Sequence, residues 1–167
     1  MILLTDVHYP PLGGAWAAGV TCATWDAPTP AAERLVFVPE VADYEPGAFY
    51  RRELPCLLAL LHTLTQAPSV IVVDGHAWLN GRPGLGARLH EVTGLPVVGV
   101  AKRRFFEGDA LPLVRGGSQS PLYVSAAGVP AEEALACVAS MHGPHRLPTL
   151  LKRVDRLCRD AAEAPRA

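Results

Sequence analysis

Residues 70–76, Val-Ile-Val-Val-Asp-Gly-His, constrain the fold of this 167-residue chain more than any other stretch. Four consecutive β-branched residues, bounded by Ser69 and Gly75, are typical of a parallel strand that is buried on both faces. The strand runs directly into Asp74. Open α/β sheets place their sites at the carboxyl ends of such strands, so the sequence predicts a site beside Asp74.

A second strand, Ile2-Leu3-Leu4-Thr5, also runs directly into an aspartate, Asp6. If the two strands are neighbours and parallel, Asp6 and Asp74 lie about 5 Å apart, which is the ordinary spacing between strands. Two carboxylates at that distance repel each other unless they share a proton or bind a cation. Taken alone, either aspartate is more often the cap of a turn, so the prediction depends on the pairing of the two strands.

The composition predicts one compact domain over residues 1–167, because 50% of the residues are hydrophobic and only 19% are charged. The sequence has no run of 18 apolar residues and no basic-then-apolar leader, so we expect neither a membrane span nor a signal peptide. The four cysteines are scattered without metal-ligand spacing. We expect them to be core residues of a cytoplasmic protein.

The formal net charge of −1 argues mildly against a nucleic-acid-binding protein, which usually carries a basic face. Positive charge is nevertheless concentrated locally at Arg51-Arg52, at Lys102-Arg103-Arg104 and between Lys152 and Arg159. Composition alone does not establish a basic patch. We expect a monomer, although no sequence feature determines the oligomeric state.

The first half of the chain predicts an antiparallel meander followed by a helix and a strand. Three strands joined by short turns are expected at residues 2–6, 15–24 and 35–38. A helix with a leucine stripe follows, and Pro55 inside it predicts a kink or a restart near Glu53.

The second half predicts the remaining elements in this order: a strand at 69–73, a glycine-rich loop, a helix to about Thr93, a strand at 97–100, a loop-like segment at 107–119, a last strand at 122–125, a helix from Pro130, a helix from Pro148 to about Arg159, and a frayed tail over 160–167. Three antiparallel strands followed by α-β-α-β predict an α/β fold of the ribonuclease H-like type, with a mixed central sheet flanked by helices. Right-handed crossovers would place strand 69–73 beside the first strand.

Glu53 is a third candidate carboxylate, since it borders the buried leucine stripe of the first helix. Three carboxylates without cysteine or histidine at ligand spacing favour a hard cation, Mg²⁺ or Mn²⁺. Such a site typically hydrolyses phosphodiesters. The alternative is that Glu53 is an ordinary solvated helix residue.

At these positions the chain resembles endonuclease V, a family of inosine-directed nucleases with a ribonuclease H-like fold. The resemblance runs from Ile2 to about Arg159, and the motifs keep the order found in the family. They are Thr5-Asp6-Val7, Tyr44-Glu45-Pro46-Gly47 with Phe49, Arg52 and Glu53, Val73-Asp74-Gly75-His76, Gly99-Val100-Ala101-Lys102-Arg103, Pro121 to Ser125, and Arg146-Leu147-Pro148 with Asp155.

The resemblance implies that Asp6, Glu53 and Asp74 are the metal and catalytic carboxylates, with Mg²⁺ or Mn²⁺ as cofactor. It also implies that Lys102 places a cation at the scissile phosphate and that Asp155 is an accessory carboxylate. Without the resemblance, Lys102 is equally well a surface lysine of a basic run. Asp155 alone would be an ordinary helix partner of Lys152 or Arg159.

The implied substrate is DNA or RNA containing a deaminated purine, cut at the second phosphodiester bond on its 3′ side. Tyr44, Pro46 and Gly47 would form the wedge, with Tyr44 stacking in the gap. The flipped base would lie near the loop that carries Gly75, His76 and Asn80. Tyr44 alone would be a loop tyrosine packed on the following helix.

The chain departs from the family pattern at recognition and accessory positions. Asn80 stands where the family has a histidine, and Ala127-Gly128-Val129 replaces a Gly-His pair. Glu45 stands in the wedge where an apolar residue is usual, so an acid would face the nucleic acid. Two alternatives therefore stay open: a non-catalytic or weakened nucleic-acid-binding descendant of the family, and a nuclease acting on other single-stranded or branched substrates.

Overall fold

The computed structural model describes residues 1–105 and 108–165. Its described residues form a seven-stranded mixed sheet and a two-stranded hairpin, with four α-helices. From one edge of the sheet to the other, the strands are β3 (Ala32–Val38), β2 (Ala15–Cys22), β1 (Ile2–His8), β4 (Val70–Asp74), β7 (Val97–Ala101), β9 (Leu122–Ala127) and β8 (Leu111–Leu113). The hairpin is β5 (Trp78–Leu79) with β6 (Arg82–Pro83), and the helices are α1 (Tyr50–Leu61), α2 (Leu85–Thr93), α3 (Ala131–Ala139) and α4 (Thr149–Glu163).

The two strands that carry Asp6 and Asp74 are neighbours, as the sequence predicted. β1 and β4 are parallel, with Leu4 opposite Val72, and β2 and β3 complete the antiparallel meander. The Thr5 hydroxyl also donates a hydrogen bond of 2.8 Å to the carbonyl of Val72. Continuing this register by two residues brings Asp6 and Asp74 to the same carboxyl edge of the sheet.

Alternation along the central strands sends their side chains to opposite faces of the sheet. Leu3 and Ile71 pack on the face that α1 and α2 cover, whereas Leu4 and Val72 pack on the face that α3 and α4 cover. None of the helices described is long and apolar enough to cross a bilayer. The predicted α/β class, a mixed sheet between helices, is confirmed.

Several predicted boundaries were wrong. β1 continues past Asp6 as far as His8, and α1 is a single helix that begins at Tyr50, so the helix does not restart near Glu53. The glycine-rich loop contains the hairpin of β5 and β6, whose strands are too short to show alternation. The segment expected to be loop-like contains β8, where Pro112 weakens the strand signal.

The predicted frayed tail from residue 160 is also wrong over most of its length. α4 continues to Glu163, because Ala162 is buried and extends the apolar face of the helix by one turn. Residue 107 of the predicted loop and residues 166–167 of the predicted tail lie outside the described residues.

The two edge strands of the sheet differ in character from the buried strands between them. β8 has three residues, and its central Pro112 lies opposite Tyr123 of β9. At the other edge, β3 carries the charged residues Glu33 and Arg34. The Arg153 guanidinium of α4 donates two hydrogen bonds, of 2.7 and 2.8 Å, to the Glu33 carboxylate.

Candidate active site

The centre of the candidate site is a contact between Asp6, His8 and Asp155. The Nε2 atom of His8 lies 3.1 Å from Oδ2 of Asp6 and 3.2 Å from Oδ1 of Asp155. One ligand atom from each of the three residues lies within 4.8 Å of the other two, and no other group in the described part of the chain has this property. The backbone N–H of Val7 donates a 2.9 Å hydrogen bond to Oδ1 of Asp6, which orients that carboxylate.

The prediction that no histidine stands at ligand spacing was therefore wrong. Residues i and i+2 of a strand share one face, and β1 extends to His8, so His8 follows Asp6 on the same side of the sheet. The alternation of Asp6 and His8 was the available sequence signal. The predicted strand stopped at Asp6, so it did not include His8.

Glu53 and Asp74 lie beside this contact and are affected by its charge. Glu53 reaches the carboxyl edge of the sheet from α1, which covers the face opposite to the one that α4 covers. Only 8% of Glu53 is exposed. Burial, followed by the charges of Asp6 and Asp74, raises the pKa of Glu53 well above its ordinary value. Asp74 keeps solvent access at the rim, yet the protein packed around it and the charge of Asp6 raise its pKa, an effect that Lys102 opposes.

Hydrogen bonding shifts the pKa values of the other two groups. The hydrogen bond to Asp6 raises the pKa of His8 above its usual value, against the lowering effect of burial, and Asp155 adds to the rise. Burial favours a higher pKa for Asp155, but its interactions with Asp6, His8 and Arg159 outweigh burial and lower that pKa. The alternative reading of Asp155 as a helix partner also holds, since Arg159 lies 3.2 Å from its carboxylate.

Lys102 reaches the same place from the end of β7. It lines a small cavity together with Asp6, Asp74 and Asp155, over an apolar floor that is formed by Val100, Leu147, Leu151 and Val154. A cation and three carboxylates therefore surround one cavity at the carboxyl edge of the sheet. This arrangement suits a metal ion bound beside a phosphate group.

Two donors fix the backbone of the segment that carries Lys102. Nη2 of Arg146 donates to the carbonyl of Lys102 over 2.6 Å, and Nε2 of His76 donates to the carbonyl of Arg103 over 2.8 Å. Arg146 also donates to the carbonyls of Ser120 and Pro121. The sequence marked Arg146 only as part of a motif, and nothing in the pattern indicated its contact with Lys102.

Arg115 supports Arg146 from behind. Its guanidinium donates hydrogen bonds to four carbonyls in the segment before α4, those of Met141, Gly143, His145 and Arg146. Two guanidinium groups therefore hold this segment against the end of β7. Arg115 stands in the stretch that was predicted to be loop-like, where no periodicity marked it.

The loop after Asp74 packs directly on β7, which explains Gly99. A Cβ atom at Gly99 would lie 2.6 Å from the carbonyl oxygen of Gly75 and 2.9 Å from the amide of Ala77. The Ser125 hydroxyl accepts a 2.9 Å hydrogen bond from the amide of Ala77. Gly99 therefore leaves room for the loop that follows Asp74, and Ser125 binds that loop through a hydrogen bond.

An open aromatic cleft of about 850 Å³, counted with its mouth, lies next to the carboxylates. Four of the predicted substrate-binding residues line it, namely Tyr44, Gly47, Gly75 and His76. The aromatic rings of Phe49, Tyr50 and Phe105 line it as well. Pro46 and Asn80, which were predicted to bind substrate with them, are not among its lining residues.

Asn80 has a different structural place. It has a positive φ of 52° and, with Gly81 at 73°, forms the two-residue turn between β5 and β6. The Asp109 carboxylate accepts hydrogen bonds from the backbone amides of both residues. An Asn-Gly pair is the strongest short-range sequence signal for such a hairpin, so this turn is one that the sequence could have predicted.

Glu45, which the resemblance places in a wedge, is paired with Arg51. Its carboxylate lies 3.2 Å from Nη1 of Arg51, and both side chains are about 60% exposed, at 61% and 59%. An acid is therefore exposed on the loop before α1, and a neighbouring cation offsets part of its charge.

A sequence profile of the endonuclease V family matches residues 5–156 of the chain. This chain belongs to the endonuclease V family. The endonuclease V of Streptomyces avermitilis is 34% identical over 140 residues, which are 71% of this chain and 61% of that protein. The endonuclease V of Xanthomonas axonopodis pathovar citri is 34% identical over 150 residues, 77% of this chain and 63% of that protein. The chain thus spans a little over 60% of the length of these curated relatives.

Solved endonuclease V structures share the fold. That of Streptomyces avermitilis gives a TM-score of 0.74 at 32% identity, covering 96% of this chain and 80% of the other. That of Ciona intestinalis, in complex with a 23mer DNA containing an inosine followed by a ribo-adenosine, gives 0.81 at 17% identity, covering 97% and 85%. The predicted ribonuclease H-like fold is confirmed.

Proposed function

We propose that this chain is a metal-dependent endonuclease that hydrolyses a phosphodiester bond on the 3′ side of inosine or deoxyinosine in nucleic acid. The observation that supports this most directly is one cavity that joins Asp6, Asp74, Asp155 and Lys102 beside an aromatic cleft. Membership of the endonuclease V family supports it independently.

The residues at the edge suit a hard divalent cation, Mg²⁺ or Mn²⁺. Carboxylate oxygens are the ligands that these ions prefer, and the buried Glu53 carboxylate accepts no hydrogen bond from residues 1–105 and 108–165. Asp6, Asp74 and Asp155 are the candidates to hold the ion, with Glu53 behind them. When bound, such an ion lowers the pKa of water and offsets the charge on the leaving oxygen.

The chain's own groups supply binding and orientation. Lys102 lies in the same cavity as the carboxylates, so its ammonium group is available to the scissile phosphate. A base turned out of the stack would enter the cleft between Tyr44 and Phe105, where aromatic rings offer stacking surfaces. Arg146 and His76 hold the Lys102 segment between this cleft and the carboxylates.

The direct test is cleavage of labelled DNA and RNA that contain one inosine, with Mg²⁺ or Mn²⁺, against matched strands without inosine and against branched substrates. We expect a metal-dependent cut on the 3′ side of inosine. Asp74→Asn should lower the rate by roughly 10³-fold, because it removes a charge at the reacting site, and should leave binding of uncut substrate intact. Equal cleavage by Asp74→Asn would exclude a catalytic role for Asp74.

A non-catalytic binding protein is the second candidate. It is favoured by the absence of the family's histidine at Asn80, which here forms a hairpin turn. Its signature would be inosine-selective binding that requires no divalent ion and leads to no cleavage with either metal. Preferential cleavage of branched strands would instead support a structure-selective nuclease.

A further inference from the structure

We propose that His8 is a metal ligand, so that this chain holds its cation through one imidazole nitrogen together with the carboxylates of Asp6 and Asp155. The proposal deepens the proposed function and rests on it for the presence of a cation at this edge. It changes the predicted donor set, which contained only carboxylates.

The distances fit ligands on one ion. Two neighbouring ligands of an octahedral ion, each about 2.1 Å from it, lie roughly 3.0 Å apart. Nε2 of His8 lies 3.1 and 3.2 Å from one oxygen of Asp6 and one oxygen of Asp155. All three atoms belong to a group whose members lie within 4.8 Å of one another. The two nitrogen–oxygen distances are therefore those of adjacent ligands, and the 4.8 Å limit is compatible with all three atoms binding a single ion.

A hydrogen bond satisfies this contact only in part. The same nitrogen, Nε2, approaches both carboxylates, and a ring nitrogen carries at most one proton. That proton points well at one oxygen and poorly at the other, since hydrogen bonds weaken steeply away from linearity. A divalent cation in place of the proton would interact with the nitrogen and both oxygens at once.

Glu53 is a second observation in favour of a cation here. It is 8% exposed, and no described residue donates a hydrogen bond to its carboxylate. The charges of Asp6 and Asp74 act on it from the same edge of the sheet. A buried carboxyl group without a donor is either protonated or balanced by a nearby positive charge, and a cation beside Asp6 would supply that charge.

An imidazole ligand changes which ion the site prefers. Mg²⁺ favours oxygen ligands and retains its waters, whereas the first-row transition ions also accept imidazole nitrogen, Mn²⁺ the most weakly and Fe²⁺, Ni²⁺ and Zn²⁺ more strongly. We therefore expect the wild-type chain to bind Mn²⁺ at least about tenfold more tightly than Mg²⁺. Without the imidazole, the preference should become smaller.

The test compares the wild-type chain with His8→Ala and His8→Gln, loaded with Mn²⁺. Calorimetry gives the affinity, and pulsed electron paramagnetic resonance of bound Mn²⁺ detects hyperfine coupling to an imidazole ¹⁴N nucleus. We expect the coupling only in chains that retain His8. We expect both substitutions to weaken Mn²⁺ binding at least tenfold, since loss of even an outer-shell partner costs 10–100-fold.

His62→Ala is the matched control. His62 is an exposed histidine just after the end of α1, and α1 contributes no residue to the contact between Asp6, His8 and Asp155. It should bind Mn²⁺ like the wild type and keep the ¹⁴N coupling. Melting temperatures of the metal-free proteins distinguish the loss of a ligand from the loss of the fold. If His8→Ala does not fold, His8→Gln still tests the proposal, because its larger side chain fills the space of the imidazole.

The proposal would be overturned by Mn²⁺ binding in His8→Ala that is as tight as, or tighter than, binding in the wild type. In that case the imidazole only competes with the ion. Absence of ¹⁴N coupling in wild-type protein with Mn²⁺ bound would overturn it as well. These readouts do not depend on cleavage. If bound Mn²⁺ shows ¹⁴N coupling but the protein does not cut inosine-containing strands, His8 is a metal ligand and the proposed endonuclease function is wrong.

Discussion

At the scale of single residues, Glu53 is the most enclosed carboxylate of the site. Its charge lies close to those of Asp6 and Asp74, and only Arg52 acts in the opposite direction. Burial of a carboxylate among like charges disfavours the ionised form. In the metal-free protein at neutral pH, the folded state therefore disfavours the ionised form that Glu53 adopts in the unfolded chain, which reduces the stability of the fold.

We predict that Glu53→Gln raises the melting temperature of the metal-free protein at pH 8 by about 3 °C or more. The folded-state pKa of Glu53 lies above its unfolded value, so its contribution to stability is complete below the unfolded pKa and is lost as the pH rises through the folded pKa. The advantage of the variant should consequently vanish towards pH 4. Calorimetric scans in EDTA from pH 4 to pH 8 measure it.

The exposed Glu40 gives the control, since Glu40→Gln should leave the melting temperature unchanged at every pH. Equal melting temperatures for Glu53→Gln and wild type at pH 8 would mean that another group offsets the Glu53 charge in the folded protein.

At the scale of elements, the long apolar runs predicted the strands correctly, and the short strands escaped prediction. The runs at 2–5, 70–73 and 97–100 form the buried parallel centre because β-branched and aliphatic residues pack on both faces there. β5, β6 and β8 have two or three residues each, too few for a period to show. Tertiary contacts with neighbouring elements define them, and a single sequence does not contain those contacts.

The segment around Arg146 illustrates the same limit at the site. Arg146 holds the carbonyl of Lys102 across a sequence separation of 44 residues, and Asp155 meets His8 across 147. Residue spacing predicts neighbours within one helix or strand, but these contacts arise from the docking of α4 on the sheet. The two aspartates were predictable because parallel neighbouring strands bring their ends together.

We predict that Arg146→Lys lowers kcat on an inosine-containing strand about tenfold, with a smaller change in KM. Lysine retains the charge but lacks the planar guanidinium that binds the carbonyls of Lys102, Ser120 and Pro121. Kinetics with and without Lys102→Ala test the mechanism. If Arg146 acts by placing Lys102, its substitution should have little further effect once Lys102 is removed.

Arg153→Lys is the matched control, because that guanidinium binds Glu33 at the edge strand β3. It should leave kcat unaltered. A loss in Arg146→Lys that is equally large with and without Lys102 would show that Arg146 only maintains the fold.

At the scale of the whole molecule, a net charge of −1 gives the chain little long-range attraction for nucleic acid. Local charges therefore decide the affinity. Glu45, on the loop that contributes Tyr44 and Gly47 to the aromatic cleft, pairs with Arg51 in the first turn of α1. The carboxylate repels a phosphate and also occupies the guanidinium that would otherwise attract one. Salt screens both effects, since the pair is exposed.

We predict that Glu45→Ile binds an inosine-containing strand roughly two- to fivefold more tightly at low salt, the range expected for one exposed ion pair. The gain should shrink at high salt. Binding isotherms at two salt concentrations measure it, and Glu45→Ile combined with Arg51→Ala should cancel the gain. If Glu45→Ile binds no better at low salt, Glu45 faces away from the nucleic acid.

The composition of the two edge strands has a consequence for the behaviour of the chain at high concentration. An open sheet invites pairing with a strand of another molecule wherever backbone donors and acceptors line up at its border. Here one border carries a proline, which has no amide hydrogen to offer, and the other carries Glu33 and Arg34. Growth of ordered aggregates by addition of strands is therefore discouraged at both borders by the same residues that end the sheet.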